Sequence, residues 1–171
     1  LWDKSAFEYS GQAPLEVLRD VSWPSPFSRE ALDAFSAEPS LWVTRGGKLA
    51  AMHYDTFDNL HTMVAGQKSF SLVSPRHAAN MYVDFSGEEE ADSSGRVCPD
   101  NGRFGCDDLG CFAFVPFDAS SVDLQRYPEV ASAVLHRTTI GAGDTLLIPA
   151  FWFHYIAHLP KSGNGRCIAL T

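Results

Sequence analysis

The chain has 171 residues, of which 45% are hydrophobic; this suits a single domain with a real core and excludes a disordered segment. Its formal net charge of −8 argues against direct nucleic-acid binding, which runs on basic patches. No apolar run approaches the roughly 18 residues of a membrane helix, and no basic-then-apolar signal segment opens the chain.

In chain order, residues 1–39 are mixed. PLEVLRDV places Pro14 at a first helical position, with Leu15, Leu18 and Val21 at helical spacing. SREALDAF offers Ser28 as an N-cap, with Leu32 and Phe35 on one face. Two short helices are expected, ending before Pro39. From Ser40 the period becomes two. SLWVTR reads as a strand, Gly46-Gly47 as a turn and KLAAMHYD as a second strand. NLHTMVA and KSFSLVS flank Gly66-Gln67, which predicts a hairpin stopped by Pro75.

Residues 76–130 read as a long irregular insertion. It holds the acidic GEEEAD, expected to be a solvated run, then a Gly/Cys-rich stretch, FAFVPFD and DLQRYP. Strands return in AVLHRTTIGAGDTLLIPAFWFHYIAHL, with turns at Gly141 and Gly143-Asp144, and RCIALT would be the next. Many short strands with Gly and Pro turns predict a mainly β sandwich or barrel with helices at one end. The chain starts at Leu1 without a methionine and ends inside a strand-like run, so a longer natural protein, trimmed at both ends, is expected.

Four cysteines are present, and Cys98, Cys106 and Cys111 share one stretch, apart from Cys167. Their spacing matches neither a dense disulfide framework nor a tight zinc pair. They read as reduced thiols in a loop, with the cytosol or nucleus as the default compartment.

The chemistry is concentrated in LAAMHYDTFDNLHTMVAGQKSFSLVSP. Side chains at i and i+2 of a strand share a face, so His53 and Asp55 can converge on one ion. A third ligand must come from another strand, and His154, in IPAFWFHYI, is the best candidate. Two histidines and a carboxylate form the facial triad of non-haem iron(II) sites, which leaves three positions open. Alone, each histidine would read as a hydrogen-bonded core residue. Lys68, thirteen residues past Asp55, is either an edge-strand lysine facing water or a buried ammonium awaiting a carboxylate from a small dicarboxylic acid. Asn59 reads equally as an amide donor nearby or as a turn residue beside Asp58. His158 shares the face of His154 but is expected at the rim. His61 and His136 are read as core histidines. Trp152 and Phe153 are expected to pack around the site and exclude water.

MHYDTFDNLHTMVAGQKSFSLVSP followed by GAGDTLLIPAFWFHYI resembles the JmjC hydroxylases of the cupin-like branch, closest to a lysyl-hydroxylase member. The resemblance spans most of the chain, with weaker support from SREALDAFSAEPSLWV, FVPFD and DLQRYP. It implies a double-stranded β-helix, a jelly-roll or cupin-like barrel occupying 40–171 behind an N-terminal flank of 1–39. It implies Fe(II) held by His53, Asp55 and His154, and 2-oxoglutarate as cosubstrate with its C5 carboxylate on Lys68 and Asn59 close by. Dioxygen would be consumed, 2-oxoglutarate would become succinate and carbon dioxide, and a protein side chain, lysine in the first instance, would be hydroxylated. Demethylation of an N-methyl-lysine at the same site and a non-catalytic cupin-like binding domain are the alternatives; a zinc cupin of the isomerase type would need more histidine ligands. The family has a hydroxyl residue three before its first ligand histidine, where this chain has Ala50, and a tyrosine on an early strand, where the nearest counterpart is Trp2. It also continues past its last strand into helices that dimerise, which implies a homodimer through segments beyond Thr171.

Overall fold

Stretches with period-two burial build two antiparallel sheets. The computed structural model describes residues 7–14, 16, 39–83, 104–107, 110–159 and 165–171. Its strands are β1 (Phe7–Gln12), β2 (Ser40–Arg45), β3 (Leu49–Asp55), β4 (Asn59–Ala65), β5 (Gln67–Val73), β6 (Phe104–Asp107), β7 (Gly110–Phe114), β8 (Leu135–Gly141), β9 (Thr145–Ile148), β10 (Phe153–Leu159) and β11 (Arg166–Leu170). One sheet has the order β1-β2-β11-β4-β9 and the other β6-β7-β3-β10-β5-β8. From β2 to β5, and again from β8 to β11, each strand lies in the opposite sheet from the one before it. That alternation winds the chain as a double-stranded β-helix, the expected jelly roll.

The two inner faces meet in a cluster of Met63, Phe70, Ile140, Ile148, Cys167 and Ala169. A second cluster lies behind β3 and β10, where Met52, Tyr54 and Phe153 pack with Val73, Met81, Ala113 and Val115. The interior therefore has an apolar half of its own, and the opposite face of the β3–β10 pair is anchored independently. No described helix is long and apolar enough to cross a membrane.

Three expectations are corrected. Gly66-Gln67 is not a hairpin turn, because β4 pairs with β11 and β9 whereas β5 pairs with β10 and β8. Gly66 instead turns the corner between sheets at φ 80°, where a Cβ would meet the Arg166 carbonyl oxygen at 2.7 Å. Local alternation marks two strands but does not say whether they pair. The region 76–130 is not wholly irregular either. Pro75–Met81 and Pro128–Ser132 are 3-10 helices, and β6 and β7 form a hairpin that docks on β3. Finally, Cys106 and Cys111 are register partners across that hairpin, not loop residues. Cys98, Trp2, the acidic run and the helices expected after Pro14 and after Ser28 lie outside the described residues.

Gly66→Ala combines a left-handed backbone with a backbone clash, and Gly47→Ala, at φ 82° with nothing within 4 Å of the new Cβ, carries the backbone cost alone. Urea denaturation should show a loss of about 1 kcal/mol for Gly47→Ala and about 3 kcal/mol for Gly66→Ala. Equal losses would show that the corner has room to relax.

Candidate metal centre

β10 runs antiparallel to β3 with His154 directly opposite His53. The register then slips, so that Ile156 faces Ala50 instead of Ala51. This bulge lies between Ala50 and His53, and bulges re-aim side chains in this way. Asp55, two residues past His53, shares its face. The outcome is one cluster: a ligand atom from each of His53, Asp55 and His154 lies within 4.8 Å of the others. His154 Nε2 is 3.5 Å from Asp55 Oδ2, His53 Nε2 is 3.9 Å from Asp55 Oδ1, and the imidazole centroids are 4.2 Å apart.

The donor set fits a divalent metal. His53 Nδ1 donates to the Ala51 carbonyl (2.7 Å) and His154 Nδ1 to the Trp152 carbonyl (3.0 Å). A carbonyl can only accept, so each ring carries a proton on Nδ1 and turns Nε2 toward the carboxylate. Two ligands at right angles, each about 2.1 Å from an ion, are about 3 Å apart, so ligand atoms lying within 4.8 Å of one another close on an ion by contracting up to about 2 Å. Burial, helped by His53 and opposed by Asp55, holds the His154 imidazole below the usual histidine range, which keeps it neutral and ready to ligate.

Neighbouring groups hold the ligands in place. Asn59 Nδ2 donates to Asp55 Oδ2 at 2.5 Å, so this amide orients a ligand carboxylate and is not simply a turn residue. The loop before His154 is tied to the β3 end by the Phe151 N–H on the Asp55 carbonyl (2.8 Å) and the Ala150 N–H on Asp58 Oδ1 (2.7 Å). Phe151 adopts φ 66°, a strained conformation for a bulky residue, in that same loop. Phe114 of β7 stacks on His53 with centroids 5.2 Å apart. Sequence reasoning missed Phe114; the alternation within FAFVPFD was the available signal.

Below the ligands the interior turns basic. Lys68 is 2% exposed, which rules out an edge lysine facing water. Among the described residues no carboxylate pairs with it, and its hydrogen-bond partner is His61 Nε2 at 3.2 Å. Burial pulls its proton affinity from the ordinary 10.5 to about 8. His158, directly across from Lys68 on β10, is buried on the barrel floor and not at the rim as expected. Its Nδ1 meets Thr44 Oγ1 at 2.5 Å, and burial with the nearby Lys68 charge lowers its proton affinity to about 3. Phe153 faces away from the site into the cluster with Tyr54, as its parity opposite His154 requires, while Trp152 packs beside the inner cluster. His136 is exposed on β8 against Trp152. Ala50, opposite Ile156, brings only a methyl to the interior face.

A double-stranded β-helix with two histidines and one carboxylate converging from facing strands is a candidate metal centre of the cupin type. The chain belongs to the cupin-like (JmjC) family: residues 12–171 match the model of the Cupin-like domain. It is 25% identical over 160 residues to the human bifunctional peptidase and (3S)-lysyl hydroxylase JMJD7, covering 91% of this chain and 47% of that protein. It is 27% identical over 179 residues to lysine-specific demethylase JMJ32 of Arabidopsis thaliana (96% and 48%) and 28% identical over 153 residues to human tRNA wybutosine-synthesizing protein 5 (90% and 39%). The chain thus spans about half the length of these relatives or less. Among solved structures, hydroquinone 1,2-dioxygenase from Sphingomonas sp. TTNP3 overlaps 77% of this chain and 56% of that chain, at a TM-score of 0.38 and 14% identity.

The buried ammonium leaves a signature in stability. Between about pH 8 and 10.5 the unfolded chain holds a proton that folded Lys68 has lost, so unfolding free energy rises with pH across that window. Relative to Lys68→Met, wild type should gain about 3 kcal/mol from the bottom to the top of the window in chemical denaturation. A difference that does not vary with pH would show Lys68 solvated. Separately, Asn59→Leu should weaken Mn(II) binding about 10- to 100-fold by releasing the Asp55 carboxylate; unchanged affinity in a metal titration would deny Asn59 that role.

Proposed function

We propose that this chain carries the active site of an Fe(II)- and 2-oxoglutarate-dependent dioxygenase that hydroxylates a protein side chain, lysine in the first instance. The observation that carries this reading is the coexistence, in one barrel interior, of the His53–Asp55–His154 cluster and a buried ammonium with no carboxylate partner among the described residues. A 2-oxo dicarboxylic acid supplies what both lack, a chelating end for a metal and a distant carboxylate for Lys68. When bound at the cluster, iron(II) would supply dioxygen activation coupled to decarboxylation of 2-oxoglutarate to succinate and carbon dioxide.

The chain's own residues do the rest. His53 and His154 present their Nε2 atoms, and Asp55, aimed by Asn59, supplies the negative charge of the cluster. Lys68 receives the cosubstrate's distal carboxylate, which relieves the cost of burying the ammonium unpaired. Phe70, Ile156 and Trp152 form an apolar wall that limits water around the site. Because Ala50 offers no hydroxyl, Lys68 carries a larger share of cosubstrate binding here than the family pattern implies.

A protein target is favoured by the relative named as a lysyl hydroxylase, which aligns over 91% of this chain. The net charge of −8 complements a basic partner.

Anaerobic titration of Fe(II)-loaded protein with 2-oxoglutarate should produce a weak visible absorption band. His53→Ala should abolish it, and Lys68→Ala should raise the cosubstrate concentration required by about tenfold or more while metal binding persists. No band at saturating 2-oxoglutarate would contradict the proposal. Mass spectrometry of peptides turned over by the enzyme should show gain of one oxygen; loss of a methylene would convert the assignment to demethylation.

A further inference from the structure

The reading above gives no task to His61. It sits on β4 between Asn59 and Met63, one rung from the amide that orients Asp55. Residues 59, 61 and 63 share the inward face of that strand. His61 is buried, its ring packs edge-on against Phe70 with centroids 5.1 Å apart, and its Nε2 lies 3.2 Å from Lys68 Nζ. The other deep imidazole, His158, is engaged with Thr44. The ammonium therefore leans on His61.

We propose that His61 is a positioning residue for the cosubstrate's distal carboxylate: its Nε2 accepts one hydrogen bond from the Lys68 ammonium and so fixes the direction of the remaining two N–H donors toward an incoming carboxylate. This inference rests on the 2-oxoglutarate reading and adds to it a determinant of which acid the barrel accepts.

The residue type is what the task needs. An aspartate or glutamate beside Lys68 would neutralise the ammonium in advance and repel a carboxylate. An apolar residue would leave a long, flexible side chain with three donors and no fixed direction. A neutral imidazole accepts a hydrogen bond and contributes no charge. Burial, and secondarily the Lys68 charge, push His61 well below the usual histidine range, so it stays neutral at physiological pH. His158 is neutral for the same two reasons. Among the described residues the floor therefore carries the single charge of Lys68, matched by one carboxylate and poorly matched by a dianion. Because the ammonium donates to Nε2, the ring proton of His61 belongs on Nδ1.

The test measures binding to the Mn(II)-loaded protein by calorimetry with two acids: 2-oxoglutarate and 2-oxovalerate, in which a methyl replaces the distal carboxylate. Wild type should prefer 2-oxoglutarate. His61→Leu should lose about tenfold in 2-oxoglutarate affinity with 2-oxovalerate unchanged, whereas His61→Gln, which keeps an acceptor, should stay within about threefold of wild type. An unaltered preference in His61→Leu overturns the proposal, as does an equal loss for both acids or failure of His61→Gln to restore binding, since each marks a packing role only. Wild type showing no preference would instead sink the cosubstrate reading itself, and the proposal with it. Should His61→Leu fail to fold, ¹⁵N correlation spectra of wild type, assigned with His61→Gln, decide the matter: Nε2 without a proton supports the proposal, and Nε2–H overturns it.

Discussion

The register of β3 against β10 governs the interior of this protein. Antiparallel pairing sets His154 opposite His53, and the bulge beside it frees Ala51 to accept the His53 ring N–H. A one-residue slip of either strand would turn its ligands to the far face, among Met52, Tyr54 and Phe153. That far face is itself buried, so a slip would also move polar rings into an apolar cluster. Packing behind the sheet and ligand geometry in front of it thus enforce one another. The bond from Phe151 to the Asp55 carbonyl closes the same arrangement from the loop side.

A protein selected for stability alone would not build this interior. Four histidines and a lysine, with Asp55 at the rim of their group, lie in the barrel interior beside methionine, phenylalanine and isoleucine. The ammonium of Lys68 is held against its solvation preference by a neutral imidazole, with no carboxylate partner among the described residues. Such sites are under-stabilised until an anion arrives, and the binding energy of that anion is larger for it. The spacing of charge is also informative. The carboxylate lies among the ligands and the ammonium lies deeper, which suits a molecule that chelates at one end and carries an anion at the other.

Much of this was legible from residue order, and the failures have identifiable causes. Period two located the strands from Ser40 onward, and the i, i+2 rule paired His53 with Asp55. The same parity should have sent Phe153 away from His154 and placed His61 beside Asn59, so those two readings were available and overlooked. Other features are not local. Whether β4 and β5 pair across Gly66 depends on which strands arrive from a hundred residues later, and the corner geometry depends on Arg166 and Cys167. His158 looked like a rim residue because proximity to a strand end does not say which end of the barrel is closed. β7 was hidden inside a stretch whose glycines and acids read as loop, yet it supplies the ring stacked on His53. The meeting of residues 53 and 154 was inferred from residue type and family resemblance; the register supplies its physical cause.

The account stands on three side chains from two strands holding one ion. Anomalous diffraction from a Mn(II)-soaked crystal tests this most directly. It should show a single peak at about 2.0–2.3 Å from Nε2 of His53, Nε2 of His154 and one carboxylate oxygen of Asp55. An empty position there, or a peak held by other groups such as His61 and His158, would contradict it.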